Sequence, residues 1–204
     1  MKALINTTSV TEVRLRNIIE VGLDVSGMLR LFEKGSKDNL RSAILREVWR
    51  LFESESKTQF HEFHASFCDW GTHNIRLAEK TKNGIVTKQS RPASYGQIAK
   101  TLDVVLKVAV YYSHLPDCRR SQLISRWLNA AVDNKMMAFL RRYYPQDIKL
   151  WPTTIERVDK SAYAAIQETV RKFINEKHGG SITPVQFDDI YWEALNRPEA
   201  SSVK

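Results

Sequence analysis

The sequence lacks several features that identify common classes of protein. The 204-residue chain has only two cysteines, Cys68 and Cys118, and they belong to no repeated spacing. This argues against a disulfide scaffold and predicts free thiols in a reducing compartment. Residues 1–13 contain no continuous apolar run of the length that a signal peptide or a membrane span requires. We therefore expect a cytoplasmic protein that does not cross a membrane.

The motifs of the main nucleotide-using and hydrolytic enzymes are also absent. The sequence contains no glycine-rich phosphate loop, nucleophile elbow or dinucleotide fingerprint, which argues against nucleotide hydrolysis, serine hydrolysis and nicotinamide chemistry. The adjacent acids Asp188 and Asp189 have no matching Glu-x-Lys strand, which a metal-dependent nuclease would need. We interpret them as carboxylates near a helix start that face the helix dipole.

Positive charge is concentrated in the middle of the chain. The formal charge is +8, from 31 Lys and Arg against 23 Asp and Glu. Residues 76–160 contain 16 basic and 7 acidic residues, which leaves 15 basic and 16 acidic residues elsewhere. One interpretation is a surface that binds a polyanion, because Lys and Arg contact phosphates without sequence preference. The other is a basic, solvated surface with no dedicated partner.

Helix signals are frequent and strand signals are nearly absent. Amphipathic segments bounded by caps and stops predict an all-α fold of seven or eight helices over residues 1–196, with a disordered tail at 197–204. Residues 81–93 interrupt the helical pattern and include the turn signal Asn83-Gly84. They predict a short hairpin arm or a basic loop, and they mark the boundary if the helices divide into two lobes around a cleft.

Local patterns predict where individual helices begin and end. The capping box at residues 9–12 starts the first helix, Gly35-Ser36 ends it, and Asp38 caps the second. A second capping box at residues 153–156 is predicted to start a helix that continues to about Glu176. Gly179 then ends that helix, because glycine readily takes the left-handed conformation.

The helix predicted from Ser94 to about His114 is almost entirely apolar. Its charged residues Lys100, Asp103 and Lys107 form a narrow stripe with His114. The remaining positions predict a buried face wider than that of an ordinary surface helix, and they include Ile98, Leu102, Val104, Val105, Val108, Ala109, Tyr111, Tyr112 and Leu115. The stripe is either functional or a salt-bridged line in which Asp103 pairs with the two lysines.

Four residues that could bind a metal ion occur within thirteen positions, namely His61, His64, Cys68 and His73. The first three lie one turn apart on a predicted helix, but the His-Glu-Phe-His segment is one residue short of the HExxH spacing. Aromatic residues at 60, 63, 67 and 70 share this periodicity and form the core face of the helix. We therefore predict structural or solvent-facing roles for the four residues and no metal site.

The segment before Lys100 resembles the helix-hairpin-helix DNA glycosylases. In that superfamily a Gly-rich turn precedes a lysine at the start of a helix. Gly96 matches the first glycine of the turn, four residues before Lys100, while Ile98 stands where the second glycine belongs.

Three segments agree, in order, with the archaeal 8-oxoguanine glycosylase branch of that superfamily. The first contains Lys100-Thr101, a lysine at position 107 and tyrosines at 111 and 112. The second is similar to a Pro-x-Asp stretch through Asp133, without its proline. The third resembles a C-terminal Pro-x-x-x-Asp-x-x-x-Trp element through Pro184, Asp188 and Trp192. The same segments are similar to small helical prokaryotic proteins of unknown function, so kinship without activity is an alternative.

The resemblance implies base-excision chemistry without a metal or an organic cofactor. Lys100 would attack the sugar carbon and displace the damaged base, and Asp133 would stabilise the cationic sugar. A lysine nucleophile must lose its proton near neutral pH, which desolvation or a nearby cation such as Lys107 favours. An aromatic side chain would stack on the extruded base. The DNA would be held by Lys88, Arg91, Gly96, Lys107, Arg119, Arg120, Arg141 and Arg142.

Two other functions fit the same residues. The chain could be a non-catalytic helical module that binds nucleic acid through its basic middle, or one that binds another protein. Asp133 has a simple structural interpretation too, because an aspartate at that position is a good N-cap for the helix that follows.

Overall fold

The structure is a computed structural model that describes residues 10–83 and 85–196. Within those residues the chain forms eight α-helices, which confirms the predicted all-α class and helix count. The helices are α1 (Val10–Ser26), α2 (Lys34–Phe52), α3 (Lys57–Asn74), α4 (Tyr95–Leu106), α5 (Cys118–Ser125), α6 (Asn134–Tyr143), α7 (Lys160–His178) and α8 (Pro184–Asn196). Short 3₁₀-helices cover Leu29–Leu31 and Ile155–Arg157, and a π-helix covers Lys107–Tyr112.

Four short strands separate α3 from α4. Strands β1 (Arg76–Leu77) and β4 (Arg91–Pro92) pair antiparallel, and between them β2 (Lys80–Lys82) pairs with β3 (Ile85–Lys88). We call residues 79–89 the hairpin arm. The structure therefore has the hairpin that the turn signal at 83–84 indicated, and α4 follows a small β-segment instead of a short Gly-rich turn.

The core is a single cluster of buried apolar side chains that includes residues from all eight helices. Helix α4 lies at its centre, and small residues let its neighbours approach closely. A Cβ at Gly22 of α1 would lie 2.8 Å from the Cα of Val105, and one at Gly71 of α3 would lie 2.5 Å from a methyl carbon of Ile98. Residues on both sides of 81–93 thus share one core.

Two predicted boundaries near the N-terminus are wrong. Helix α1 ends at Ser26, where Gly27 takes a φ of 65° and terminates it. Gly35-Ser36 does not end a helix but lies in the first turn of α2, which starts at Lys34, ahead of the predicted cap Asp38.

Three predictions from the sequence concern residues or side chains that the structure does not describe. They are the cap at Ser9, the tail at 197–204 and the side chain of Trp192.

The second capping box does not start a long helix. Residues 153–156 lead only into the 3₁₀-helix Ile155–Arg157, and Thr154 makes no side-chain cap. Helix α7 begins at Lys160, where the carboxylate of Asp159 accepts a hydrogen bond from the Ala162 N–H at 2.8 Å. Its predicted end is confirmed, because Gly179 has a φ of 57° there.

We expect Gly96→Ala to destabilise the fold. A Cβ at Gly96 would lie 2.5 Å from the Val158 Cβ and 2.7 Å from the Ile155 carbonyl oxygen. Overpacking of this kind costs roughly 1–3 kcal/mol, measurable as a lower free energy of unfolding in urea. Gly35→Ala is the control, because nothing lies within 4 Å of its added methyl and alanine favours the helix by up to about 1 kcal/mol. Equal effects of the two substitutions would contradict the packing argument.

Candidate active site

The central helix changes its hydrogen bonding after Leu106. The Ser113 N–H donates to the Val108 carbonyl, five residues back, at 3.0 Å, and residues Lys107–Tyr112 form a π-helix. The wider turn brings residues five apart into proximity, so the Lys107 Nζ lies 5.6 Å from the Tyr112 ring centroid. Tyr112 was predicted to be buried with the apolar face, but it is 54% exposed.

A pocket of about 290 Å³ opens beside this turn, and we call it the lysine pocket. Helix α4 and the π-helix line it together with the end of α1, the loop before α6, and α8. Its polar lining consists of Ser26, Lys100, Lys107, Tyr112, Asp133, Asp188 and Asp189. The structure thus brings together residues from the three sequence segments that carried the family resemblance.

Lys107 is held between two carboxylates of α8. Its Nζ lies 2.6 Å from a carboxylate oxygen of Asp188 and 2.6 Å from one of Asp189. Burial alone would lower the pKa of Lys107, but the charges and hydrogen bonds of the two aspartates outweigh it and raise that pKa above its ordinary value. Lys107 is therefore a permanent cation at neutral pH.

The two aspartates are not helix-start residues, so that interpretation is wrong. Helix α8 begins at Pro184, and its first turn contains no acidic residue. Asp188 is buried, and burial raises the pKa of its carboxyl although Lys107 opposes the shift. Asp189 also accepts a hydrogen bond from the Tyr112 hydroxyl. Burial and that bond raise the pKa of Tyr112 to about 12, so its hydroxyl remains a donor.

Lys100 has no such partner. It is partly exposed, lines the lysine pocket, and makes no hydrogen bond or ion pair with the residues that the structure describes. The interpretation of the stripe as a salt-bridged line is wrong, because Asp103 is buried and turned away from both lysines. Its carboxylate oxygens lie 2.8 Å from the His64 Nε2 and 2.7 Å from the Tyr163 hydroxyl.

Asp133 reaches the pocket because it caps α6. Its Oδ1 accepts a hydrogen bond from the Met136 N–H at 2.8 Å, which fixes the carboxylate at the helix start. The structural interpretation of Asp133 is therefore confirmed. The same cap places the carboxylate in the wall that also contains Lys100.

Two of the predicted DNA contacts have their polar groups engaged within the protein. The Gly96 N–H donates to the Val158 carbonyl at 2.9 Å, and its backbone packs too closely for any side chain. The Arg120 guanidinium donates to the carbonyls of Phe52, at 2.7 Å, and Ser54, at the end of α2. We therefore assign a structural role to both residues, because the Gly96 N–H and the bonded N–H groups of Arg120 are not available to a phosphate.

Of the other predicted contacts, Lys107 is held by Asp188 and Asp189 as described above, and the remaining five lie on the surface. Arg91 and Lys88 form ion pairs with Glu156, the latter at 3.6 Å. The remaining three are exposed and have no ion-pair partner among the described residues: Arg119, Arg141 and Arg142. The last two line a second pocket of about 460 Å³ beside α6, outside the lysine pocket.

Sequence reasoning missed a buried polar cluster around Asp103 of α4. His64 bonds to Asp103, and its Nδ1 lies 3.8 Å from the Cys68 Sγ. Burial alone would lower the pKa of His64, but Cys68 and Asp103 raise it well above its ordinary value. The i, i+4 spacing of His64 and Cys68 was visible in the sequence, but the contact with Asp103 was not. Among the described residues no group of three or more His, Cys, Asp or Glu is arranged to hold a metal ion.

Comparison with protein-family models, curated proteins and solved structures found no match. Within the described part of the chain, no helix is both long and apolar enough to span a membrane.

We expect Lys107→Met to destabilise the fold by about 3 kcal/mol, because it leaves Asp188 as a buried carboxylate without a cation. Urea denaturation would measure the loss. Lys107→Met combined with Asp188→Asn should lose less than the sum of the two single substitutions, since each removes the same pair. Strict additivity would contradict the ion pair. Lys172→Met is a matched control, because its ion pair with Asp147 is more exposed.

His61 should make the fold sensitive to acid. Its Nε2 is buried without a hydrogen-bond partner among the described residues. Burial, with the charges of Arg171, His64 and Lys57, lowers its pKa from 6.5 to about 3. Between these values the unfolded chain binds a proton that the folded chain does not, so stability falls as the pH drops. In urea titrations at pH 7 and pH 5, His61→Leu should lose less stability than the native protein. An equal loss would contradict a neutral His61.

Proposed function

We propose that the chain is a DNA-binding protein with base-excision chemistry of the DNA glycosylase and AP lyase type, and that Lys100 is its nucleophile. The observation that carries the proposal is the lining of the lysine pocket, which includes Lys100, Lys107, Asp133 and Asp188. These residues come from three separate segments, and each occupies a position that the family resemblance names.

The roles of the two reacting side chains follow from their surroundings. The unpaired amine of Lys100, in its neutral form, would attack the C1′ carbon of the sugar while the bond to the base breaks and its electron pair leaves with the base. Opening of the sugar ring and loss of the amine proton would leave a Schiff base. Positive charge develops on the sugar during this step, and the carboxylate of Asp133 is fixed in the same pocket to stabilise it.

The charge of the pocket favours a base over a phosphate as its occupant. Two lysines and three aspartates line it, so the net charge is negative by one although the surrounding segment is basic. Phosphates would instead be bound outside the pocket by the unpaired Arg119, Arg141 and Arg142. Tyr112 lines the pocket with its ring half-exposed, as required of a side chain that stacks on an extruded base.

We expect borohydride to trap a covalent adduct between the protein and a duplex that carries an abasic site or 8-oxoguanine. The adduct should disappear in Lys100→Gln, because glutamine cannot form a Schiff base. Asp133→Asn should slow its formation by about 100-fold or more through loss of charge, while asparagine still caps α6. The exposed Lys149→Gln is the matched control and should react like the native protein. An adduct that persists in Lys100→Gln, or a native protein that forms none, would overturn the proposal.

Nucleic-acid binding without catalysis is the second candidate. It is favoured by the exposed arginines outside the pocket, which have no ion-pair partner among the described residues. On this proposal the native protein and Lys100→Gln would bind duplex DNA with the same steep salt dependence and neither would form an adduct.

A further inference from the structure

The hairpin arm contributes nothing to the core. Every described residue from 79 to 89 is exposed, and Ile85 and Val86 beside its turn are 70% and 47% exposed. An isolated two-stranded hairpin is marginally stable in water. Packing against the described part of the chain therefore accounts neither for a hairpin of this composition nor for the apolar residues beside its turn.

The register of the arm places like charges together. Lys80 lies opposite Lys88, and Lys82 lies opposite Ile85. Cross-strand partners share a face of a sheet, and so do residues two apart on one strand. The register shifts between Lys80 and Thr81, which leaves Thr87 as an extra residue on β3. This bulge lets Lys88 share the face of Lys80 although it lies three residues after Ile85. Three lysines and Ile85 therefore occupy one face of the arm, which we call the lysine face.

The lysine face carries an electrostatic cost that an anionic partner would remove. Lysines directly opposite each other repel. Lys88 is partly neutralised by Glu156, at 3.6 Å, but Lys80 and Lys82 have no ion-pair partner among the described residues. A row of phosphates would supply the missing negative charge.

The arm is attached to the helix that carries Lys100. At its base, Arg91 pairs with Glu156 of the 3₁₀-helix Ile155–Arg157. That 3₁₀-helix is bonded to the start of α4, because the Ser94 hydroxyl donates to the Ile155 carbonyl at 3.1 Å. Lys100 follows in the second turn of α4. The arm and the lysine pocket are thus connected through the start of α4.

We propose that the hairpin arm binds in a groove of duplex DNA, with the lysine face against the phosphates and Ile85 in apolar contact with the bases. This deepens the proposed function and rests on it for the identity of the partner. A two-stranded β-ribbon fits the major groove of B-DNA. Apolar side chains contact thymine methyl groups there or wedge between base steps.

Salt titrations of binding to an undamaged duplex test the arm. Replacing both Lys80 and Lys82 by alanine should reduce the slope of log K against log salt by about 1.8, since each phosphate contact contributes about 0.9. Ile85→Ser should weaken binding several-fold and leave the slope unchanged, because no charge is lost. The exposed Lys57→Ala is the matched control. It lies at the opposite end of the 18-residue helix α3 from the arm, roughly 27 Å away at 1.5 Å per residue, and should leave the slope unchanged.

The outcomes separate the arm from the catalytic proposal, because binding to undamaged DNA needs no chemistry. A reduced slope without a borohydride adduct in the native protein would support the arm and overturn the catalytic role of Lys100. An adduct in the native protein, with native slopes in the arm variants, would overturn the arm alone. Tighter binding to vesicles with phosphatidylserine than to the duplex would also overturn it, because the lysine face would then fit a membrane surface.

Discussion

Burial of α4 requires that its charged side chains find partners inside the protein. Asp103 of α4 bonds to His64 of α3 and Tyr163 of α7, and Lys107, in the π-helix that continues α4, is held by Asp188 of α8. Removing one member of a buried pair is costly, because the other member is left desolvated and unpaired. These contacts therefore link three helices to α4 in a specific arrangement, and they set the geometry around the lysine pocket.

Lys100 lies on α4 about one turn before Asp103, and it differs from these residues because it has no partner among the described residues. The π-helix that follows explains part of the difference. By bringing Tyr112 beside Lys107, it lets both side chains contact α8, and this contact forms one wall of the pocket. An amine without an internal partner, in a pocket that also contains the fixed carboxylate of Asp133, is the arrangement on which the proposed Schiff-base chemistry depends.

On the proposed function, base binding and phosphate binding fall to different parts of the surface, although the basic middle of the chain suggested them together. The lysine pocket is negative by one charge and suits an uncharged base or a developing cation. The cations that could bind phosphates lie outside it, on α5, α6 and the hairpin arm. Gly96 and Arg120, which the sequence grouped with them, hold the protein together instead: Gly96 allows the chain near Val158 to approach α4, and Arg120 bonds the end of α2.

Much of the fold could be predicted from the sequence, because helix caps depend on residues only a few positions apart. Ser94, Asp133 and Gly179 act where their local patterns indicated. The family resemblance named Lys100, Lys107, Asp133 and Asp188, but Ser26, Asp189 and the contacts within the lysine pocket were not predicted. The pairing of Asp103 with His64 and that of Lys107 with α8 could be decided only by the tertiary structure, because the partner of a buried charge comes from whichever distant helix packs against it.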